Sequence, residues 1–359
     1  WKSADGLGIA NTRLDEPTPQ YAYDVTSGTK TIAGRHNNMI RLGRDKPMNH
    51  WSGKGGMGAT RAGAIDIVVG RQSPNMSENI RVDDVIINDD HAKGVHYCLE
   101  NGETGTIFSD VVVNCGGMWA RELAAKSNVI IPLHACEHFY IVTEPIEELG
   151  QLPVLRVPDE CAYYKEDAGK MMLGAFESRA KAWGMNGIPK DFCFDQLPED
   201  LEHFEPILSL ALKRMPVLNS VGVRTFFNGP ESFTPDNRYY LGESVSCEGY
   251  WLAAGYNSIG IVSSGGAGMA LAKWITDGEP PFDLWEVDIR RAEPFQQNRN
   301  YLKDRVAESL GLLYADHFPY LQPETSRNIR RSPFHSYLKD LGAVFGEVAG
   351  YERANWFSV

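Results

Sequence analysis

No uninterrupted apolar run approaches the roughly 20 residues that cross a bilayer as a helix, so the sequence offers no transmembrane segment. It has no Cys-x-x-Cys pair. The six cysteines, Cys98, Cys115, Cys136, Cys161, Cys193 and Cys247, are scattered, which excludes a zinc ribbon and a disulfide scaffold and fits a reducing compartment. Positive charge is not in excess. A formal net charge of −12 argues against binding a phosphate backbone, so nucleic acid is not an expected partner. A starting methionine and a signal-like segment are also missing, and the chain is expected to be a processed product or a fragment.

What is present suits a globular protein. The 359 residues, 43% hydrophobic and 23% charged, allow two domains or one large α/β domain with ample core. Residues 1–80 are polar and rich in glycine, asparagine and arginine, with one strong strand candidate at Ala64–Val69. Gly53, Gly55 and Gly58 form a formal G-x-G-x-x-G. A dinucleotide fingerprint needs a hydrophobic strand before it and a helix after it. Here Pro47 interrupts the approach and an extended run follows, so the segment reads as a glycine-rich loop.

The most informative stretch is Gly249–Gly278, which reads as a buried strand at Tyr250–Ala254, a sharp turn at Gly255 and a helix over Gly260–Ile275. Gly278, followed by Pro280 and Pro281, stops the helix. Gly260, Gly265, Gly266 and Gly268 crowd its first half, although each costs about 1 kcal/mol against alanine inside a helix. Two reasons compete: close approach of an electron-rich ligand to the free amides of a helix N-terminus, or tight packing alone.

Earlier, Val82–Asn88, Gly94–Glu100 and Thr104–Cys115 read as three extended runs separated by turns at Asn88-Asp89-Asp90 and Asn101-Gly102. The third run leads through Gly116 and Gly117 into a helix over Met118–Ala125, a geometry suited to approaching a nucleotide or to a plain strand-to-helix turn. On the strand within Ile130–Glu144, His134, Cys136 and His138 alternate onto one face. Metal binding would need a further ligand, and none is expected. Met171–Phe176 and Val221–Phe227 read as strands, Pro198–Arg214 as an amphipathic segment broken by Pro206, and Asn300–Leu313 as a helix. Arg156 and Arg224 are candidates for a substrate carboxylate, which a guanidinium binds in a bidentate way, or for surface ion pairs.

The run GPESFTPDNRYYLGES (Gly229–Ser244) followed by GYWLAAGYNSIGI resembles the FAD-dependent amine oxidoreductases related to dimethylglycine and sarcosine dehydrogenases, over about residues 82–357. That family includes a non-catalytic regulatory subunit of pyruvate dehydrogenase phosphatase. The resemblance implies an α/β fold: an incomplete FAD-binding domain of the glutathione-reductase/D-amino-acid-oxidase type with an antiparallel-sheet substrate domain. It implies FAD-domain parts at 81–128 and 245–279, a substrate domain at 129–244, and a connecting module at 280–359 leading toward an absent aminomethyltransferase-like domain, the only place tetrahydrofolate would bind. The family's opening nucleotide unit has no counterpart in residues 1–80, and residues 5–75 resemble bacteriophage structural proteins, which suggests two pieces joined near residues 75–84.

The same resemblance implies FAD contacts at Asn114, Gly116, Gly117, Trp119, Gly255, Tyr256, Asn257, Ser258, Ile259, Gly260 and Ile261, and catalytic roles for His138 and Tyr163. The implied reaction is oxidative demethylation of an N-methyl amino acid by hydride transfer to flavin N5. An electron-transfer flavoprotein is an implied partner, and a bacterial cytoplasm or mitochondrial matrix the implied location. The alternatives are a regulatory relative without the chemistry, or a truncated or fused chain with a structural or binding role.

Overall fold

The computed structural model describes residues 80–193, 195–315 and 322–358. The glycine motif at Gly53–Gly58, the strand expected at Ala64–Val69 and the phage-like stretch lie outside them. The first elements are β1 (Ile80–Asn88), β2 (His91–Leu99), β3 (Thr104–Phe108), β4 (Val112–Asn114) and α1 (Ala120–Ala125). Next come β5 (His134–Thr143), β6 (Leu155–Val157), β7 (Ala162–Asp167), β8 (Lys170–Ala175), β9 (Ala182–Trp183), α2 (Leu201–Arg214) and β10 (Val223–Phe233). The chain continues through β11 (Tyr240–Glu243), β12 (Tyr250–Ala254), α3 (Gly260–Asp277), α4 (Arg299–Leu312), α5 (His335–Asp340), β13 (Ala343–Val348) and β14 (Tyr351–Phe357).

These elements form two compact units. One gathers the described residues up to Ile131 with Asn186–Asp195 and Arg238–Ala292. In it β1, β2 and β3 form an antiparallel sheet, and a second sheet runs β11-β12-β4, with β12 parallel to β4 through Tyr250 opposite Val112. The single extended run expected over Thr104–Cys115 is two strands. Ser109 Oγ donates to the Val111 carbonyl at 2.8 Å and accepts from the Val111 amide at 3.3 Å, closing a local turn that leaves β3 with β2 and sends β4 to β12. Helix α3 buries Ala267, Ala270, Leu271 and Trp274 against Val113, Leu241 and Trp251. Trp274 meets Trp251 edge-on with centroids 5.6 Å apart.

The second unit holds Pro132–Met185, Gln196–Asn237 and Glu293–Val359, so most of the residues expected as a connecting module, from Glu293 on, group with the larger sheet. Its sheet runs β10-β5-β8-β7-β6, all antiparallel, with β9 also on β5. Alternation along β5 serves two cores: Phe139 and Ile141 pack with Phe204, Ile207 and Ala211 of α2, while Cys136 packs with Leu302, Val306 and Leu310 of α4. Each large side chain fully buried this way contributes about 1.5–3 kcal/mol.

Helix α2 corrects an expectation, because it passes through Pro206 unbroken. Pro206 and Glu202 are both exposed, so the carbonyl that proline cannot satisfy faces water instead of the core. Asp200 starts the helix by accepting from the His203 amide at 3.1 Å, and it pairs with Lys181. Pro230 lies within β10, an edge strand, where a missing donor is tolerated.

Around α4 a buried ionic group ties the C-terminal elements together. Arg305 pairs with Glu347 of β13 at 2.7 Å and donates to the Thr325 carbonyl at 2.9 Å, while Glu308 accepts from the Thr325 amide at 3.0 Å. Arg327 pairs with Glu352 of β14 at 2.5 Å. Among the described residues no helix is long and apolar enough to cross a membrane.

Candidate active site

Sheet register decides which side chains of the second unit share a face. On β5 and β10, His138 stands opposite Gly229, Tyr140 opposite Phe227 and Cys136 opposite Glu231. Tyr140 also faces Gly174 of β8, Gly174 faces Tyr163 of β7, and Tyr163 faces Arg156 of β6. Directly opposed residues of antiparallel strands point the same way. Thus His138, Tyr163, Arg156, Tyr140 and Glu231 occupy one face although four different strands supply them.

Rings line that face. Phe176, just beyond β8, lies edge-on to His138 at 4.8 Å, is tilted to Tyr163 at 5.9 Å and stacks on Tyr314 at 4.4 Å. Phe233 approaches His138 at 6.5 Å. The Tyr163 ring lies flat across Gly174, where a Cβ would meet its Cζ at 1.9 Å, so only glycine fits beneath it.

His138 is buried, and neither ring nitrogen has a hydrogen-bond partner among the described residues. Burial lowers its pKa to about 4, so the imidazole is neutral at pH 7, with one nitrogen able to accept and the other to donate. Leaving a buried polar group unsatisfied costs about 1–3 kcal/mol, which a bound polar ligand can recover. Burial, followed by the Glu231 charge and Tyr314 and Tyr140, holds the Tyr163 hydroxyl well above its ordinary pKa, so it stays a donor. His134, Cys136 and His138 do share a buried face, but among the described residues no group of three His, Cys, Asp or Glu side chains could hold a metal ion.

The two arginines part ways. Arg156 is exposed, its guanidinium lies 4.0 Å over the Tyr314 ring, and it donates to the Leu313 carbonyl at 2.8 Å, which places it at the rim of the cluster. Arg224 is not brought to His138. It lies five residues along β10 from Gly229, roughly 16 Å at strand spacing, and faces Glu144 at 4.0 Å on the exposed end of the sheet.

In the first unit, the residues expected to touch FAD divide into supports and surfaces. Asn114 is fully buried and its side chain is spent internally: Nδ2 donates to the Ala120 carbonyl at 3.0 Å and to the Tyr250 hydroxyl at 2.9 Å, and Oδ1 accepts from the Gly116 amide at 3.0 Å. It braces the turn containing Gly116 and Gly117. Trp119 is buried, and its Nε1 has no partner among the described residues.

The loop before α3 is different. Gly255, Asn257 and Ser258 all have positive φ, at 75°, 49° and 68°, two of them without being glycine. Asn257 holds the loop by donating to the Gly255 carbonyl at 2.8 Å, and Tyr256 stacks on Tyr239 at 4.7 Å. Ser258 Oγ is buried with no partner among the described residues, no side chain caps the first turn of α3, and Ile259 and Ile261 are exposed beside Gly260. A Cβ on Gly266 would meet nothing within 4 Å among the described residues. Packing therefore does not account for that glycine. An orphaned hydroxyl beside uncapped amides fits the electron-rich edge of a flavin, with Ser258 to Ile261 as the residues that would hold it.

Sequence reasoning missed Glu231, Phe176 and Tyr314 as members of the cluster. Glu231 lay within the very run that carried the family resemblance. The signal that could have found it is the two-residue alternation shared with Gly229 and Phe233, once β10 is paired with β5.

Residues 76–274 match the family model described as FAD dependent oxidoreductase, and residues 277–332 match the FAD dependent oxidoreductase central domain. The chain is 42% identical over 281 residues to 4-methylaminobutanoate oxidase (formaldehyde-forming) of Paenarthrobacter nicotinovorans, covering 78% of this chain and 33% of that protein. It is 35% identical over 257 residues to mitochondrial sarcosine dehydrogenase of Mus musculus, covering 71% and 28%. It is 36% identical over 279 residues to the mitochondrial pyruvate dehydrogenase phosphatase regulatory subunit of Mus musculus, covering 75% and 32%. The chain thus spans about one third of the length of these curated relatives. Its glycine-rich α3 turn and the matched span, more than half of the sequence, together place the chain in the FAD-dependent oxidoreductase family.

Proposed function

We propose that this chain carries the flavin-dependent part of an enzyme that oxidatively demethylates an N-methyl amino acid of the sarcosine, dimethylglycine or methylaminobutanoate class. When bound, FAD supplies a two-electron acceptor, at N5, for the hydride leaving the N-methyl carbon. The protein's share is positioning. A neutral His138 nitrogen accepts from, or donates to, the substrate's amine or carboxylate, and the Tyr163 hydroxyl donates to the other group. The surrounding rings exclude water from the methyl group. An electron-transfer flavoprotein is the proposed outlet for the electrons.

The observation that carries this reading is the buried His138, neutral and with both nitrogens unpartnered among the described residues, on one sheet face with Tyr163. The test is to load the chain with FAD and add sarcosine, dimethylglycine or 4-methylaminobutanoate without oxygen. Bleaching of the yellow flavin band is expected, and His138→Ala and Tyr163→Phe should both slow it in a single turnover. Unchanged rates in both variants would remove these residues from the mechanism, and no bleaching with any amine would sink the reading.

A second reading follows from the 36% identity to a phosphatase regulatory subunit: a flavin-fold protein that regulates without oxidising amines. It is favoured if the chain binds FAD tightly and none of the three amines bleaches it.

A further inference from the structure

The ladder between β5 and β8 stops just short of His138. It pairs Tyr140 with Gly174, Ile141 with Leu173 and Val142 with Met172, and the chain rejoins β5 only at β9, where Cys136 faces Ala182. Continued past Gly174, that register would set Phe176 across from His138 and Glu177 across from Glu137. Alternation sends these two neighbours to opposite sides of the sheet. Phe176 turns to the face of His138, 4.8 Å from its ring, and Glu177 turns to the side covered by α2, where it meets His203.

The main chain at this crossing is tied at its two ends. The Phe176 amide donates to the Cys161 carbonyl at 2.7 Å and the Ala180 amide to the Ala307 carbonyl of α4 at 2.8 Å, while 177–179 make no backbone-to-backbone hydrogen bond among the described residues. A side chain holds the middle. The buried Glu177 carboxylate lies 3.4 Å from Nε2 of His203, in the first turn of α2, and the His203 ring rests against Phe139 of β5 at 5.4 Å. The other charges near Glu177 are engaged: Glu137 accepts from Asn228 Nδ2 at 2.8 Å, and Lys181 pairs with Asp200. Burial holds the Glu177 carboxyl above its ordinary pKa, and the Glu177 carboxylate raises that of His203.

From this placement, and resting on the amine-oxidation reading, we infer that Glu177 and His203 are positioning residues for His138: their contact beneath the sheet fixes Phe176, one residue away, against the imidazole on the other side. Ring packing is what orients His138, because neither of its nitrogens has a hydrogen-bond partner among the described residues. Phe176 also lies 5.9 Å from the Tyr163 ring and 4.4 Å from Tyr314, so one anchor aligns the histidine with the tyrosine. Misplacing a reacting group by about 1 Å can cost on the order of a hundredfold in rate, which makes a supporting contact of this kind consequential.

The test is His203→Leu in the FAD-loaded chain, made both in wild type and in a Phe176→Leu background. Single-turnover flavin reduction, with whichever of the three amines is fastest, should slow by about tenfold in the first and by less than about twofold in the second, where the ring that transmits the effect is gone. A general loss of structure would fall on both backgrounds alike, so equal slowing in the two, or none in wild type, overturns the inference. The His138 ring-proton resonances, displaced by the neighbouring Phe176 ring, give a measurement that needs no amine. They should shift in His203→Leu, and an unchanged spectrum overturns the inference. If His203→Leu does not fold, Glu177→Gln removes the charge at nearly unchanged shape and is judged by the same two measurements and the same outcomes. Failure of the underlying reading shows separately: all three amines leave the wild-type flavin yellow, while the resonances still report on the anchor.

Discussion

The ring of Tyr163 rests on the bare backbone of Gly174, close enough that a methyl group on the glycine would fall 1.9 Å from the ring carbon bearing the hydroxyl. This contact fixes where the hydroxyl sits without any hydrogen bond to another side chain being needed. It links the floor of the sheet directly to a proposed catalytic group.

Gly174→Ala should therefore lift the Tyr163 ring, destabilise the chain by about 1–3 kcal/mol and slow single-turnover flavin reduction. The clash is specific, so in a Tyr163→Ser background the same substitution should cost much less. A double-mutant cycle of unfolding free energies checks this, and additive losses would contradict it.

The His138 imidazole gives a pH signature. Its folded pKa, about 4, lies below the ordinary 6.5, so on acidification the unfolded chain takes up the proton first. The stability tied to its neutrality is intact above about pH 6.5 and drains as pH falls toward 4, a total of about 3 kcal/mol. His203 moves the opposite way, raised chiefly by the Glu177 carboxylate 3.4 Å away, so the wild-type profile alone is mixed. Between pH 7 and pH 4, His138→Leu should lose about 3 kcal/mol less than wild type in chemical denaturation. Parallel profiles would show that the histidine is not buried in solution.

Gly266→Ala addresses the flavin surface. The position is inside α3 and a Cβ there meets nothing within 4 Å, so alanine should stabilise the FAD-free chain by about 0.5–1 kcal/mol. If that clearance is kept for the cofactor, the same variant should bind FAD more weakly, as read by flavin fluorescence on titration. A gain in stability with no change in FAD affinity would leave the glycine without a ligand-based reason.

Removing the buried Arg305 guanidinium strands Glu347 and the Thr325 carbonyl, so Arg305→Met should cost about 3–5 kcal/mol. Replacing Glu347 by methionine as well should recover a large part of that loss, because two apolar side chains then fill the space of a pair that had to be desolvated. Denaturant midpoints of the two single variants and the double variant measure it.

Local chemistry made part of this structure readable in advance. Tyr250–Ala254, the Gly255 turn and the α3 helix form where apolar spacing and glycine placement put them, and Gly278 ends the helix in the left-handed conformation at φ 81°. The helix runs two residues past Ile275 because Thr276 and Asp277 continue it up to that cap. Pro206 misled, since its effect depends on whether the carbonyl it abandons is wet, a tertiary fact. The break between β3 and β4 was hidden because Ser109 and Asp110 look no different from strand residues until partners on two different sheets compete for them. At the site, His138 and Tyr163 came from family resemblance, whereas Glu231, Phe176 and Tyr314 depend on register among β5, β7, β8 and β10 and on where the chain returns after α4. Periodicity within one strand carries no information about which residue will lie opposite.

The Arg305 hub also says something about how the chain comes to be folded. A two-stranded ribbon such as β13–β14 is marginal in water on its own, and its ladder partners lie within its own fifteen residues apart from a single bridge between Arg330 and Tyr351. Its order is borrowed: a guanidinium forty-two positions upstream, on a helix already seated against the larger sheet, grips the ribbon's first strand. The ribbon should accordingly be a late arrival that melts together with its anchor, and amide exchange should give Ala343–Val348 the protection of α4 in place of the rapid exchange of a free hairpin.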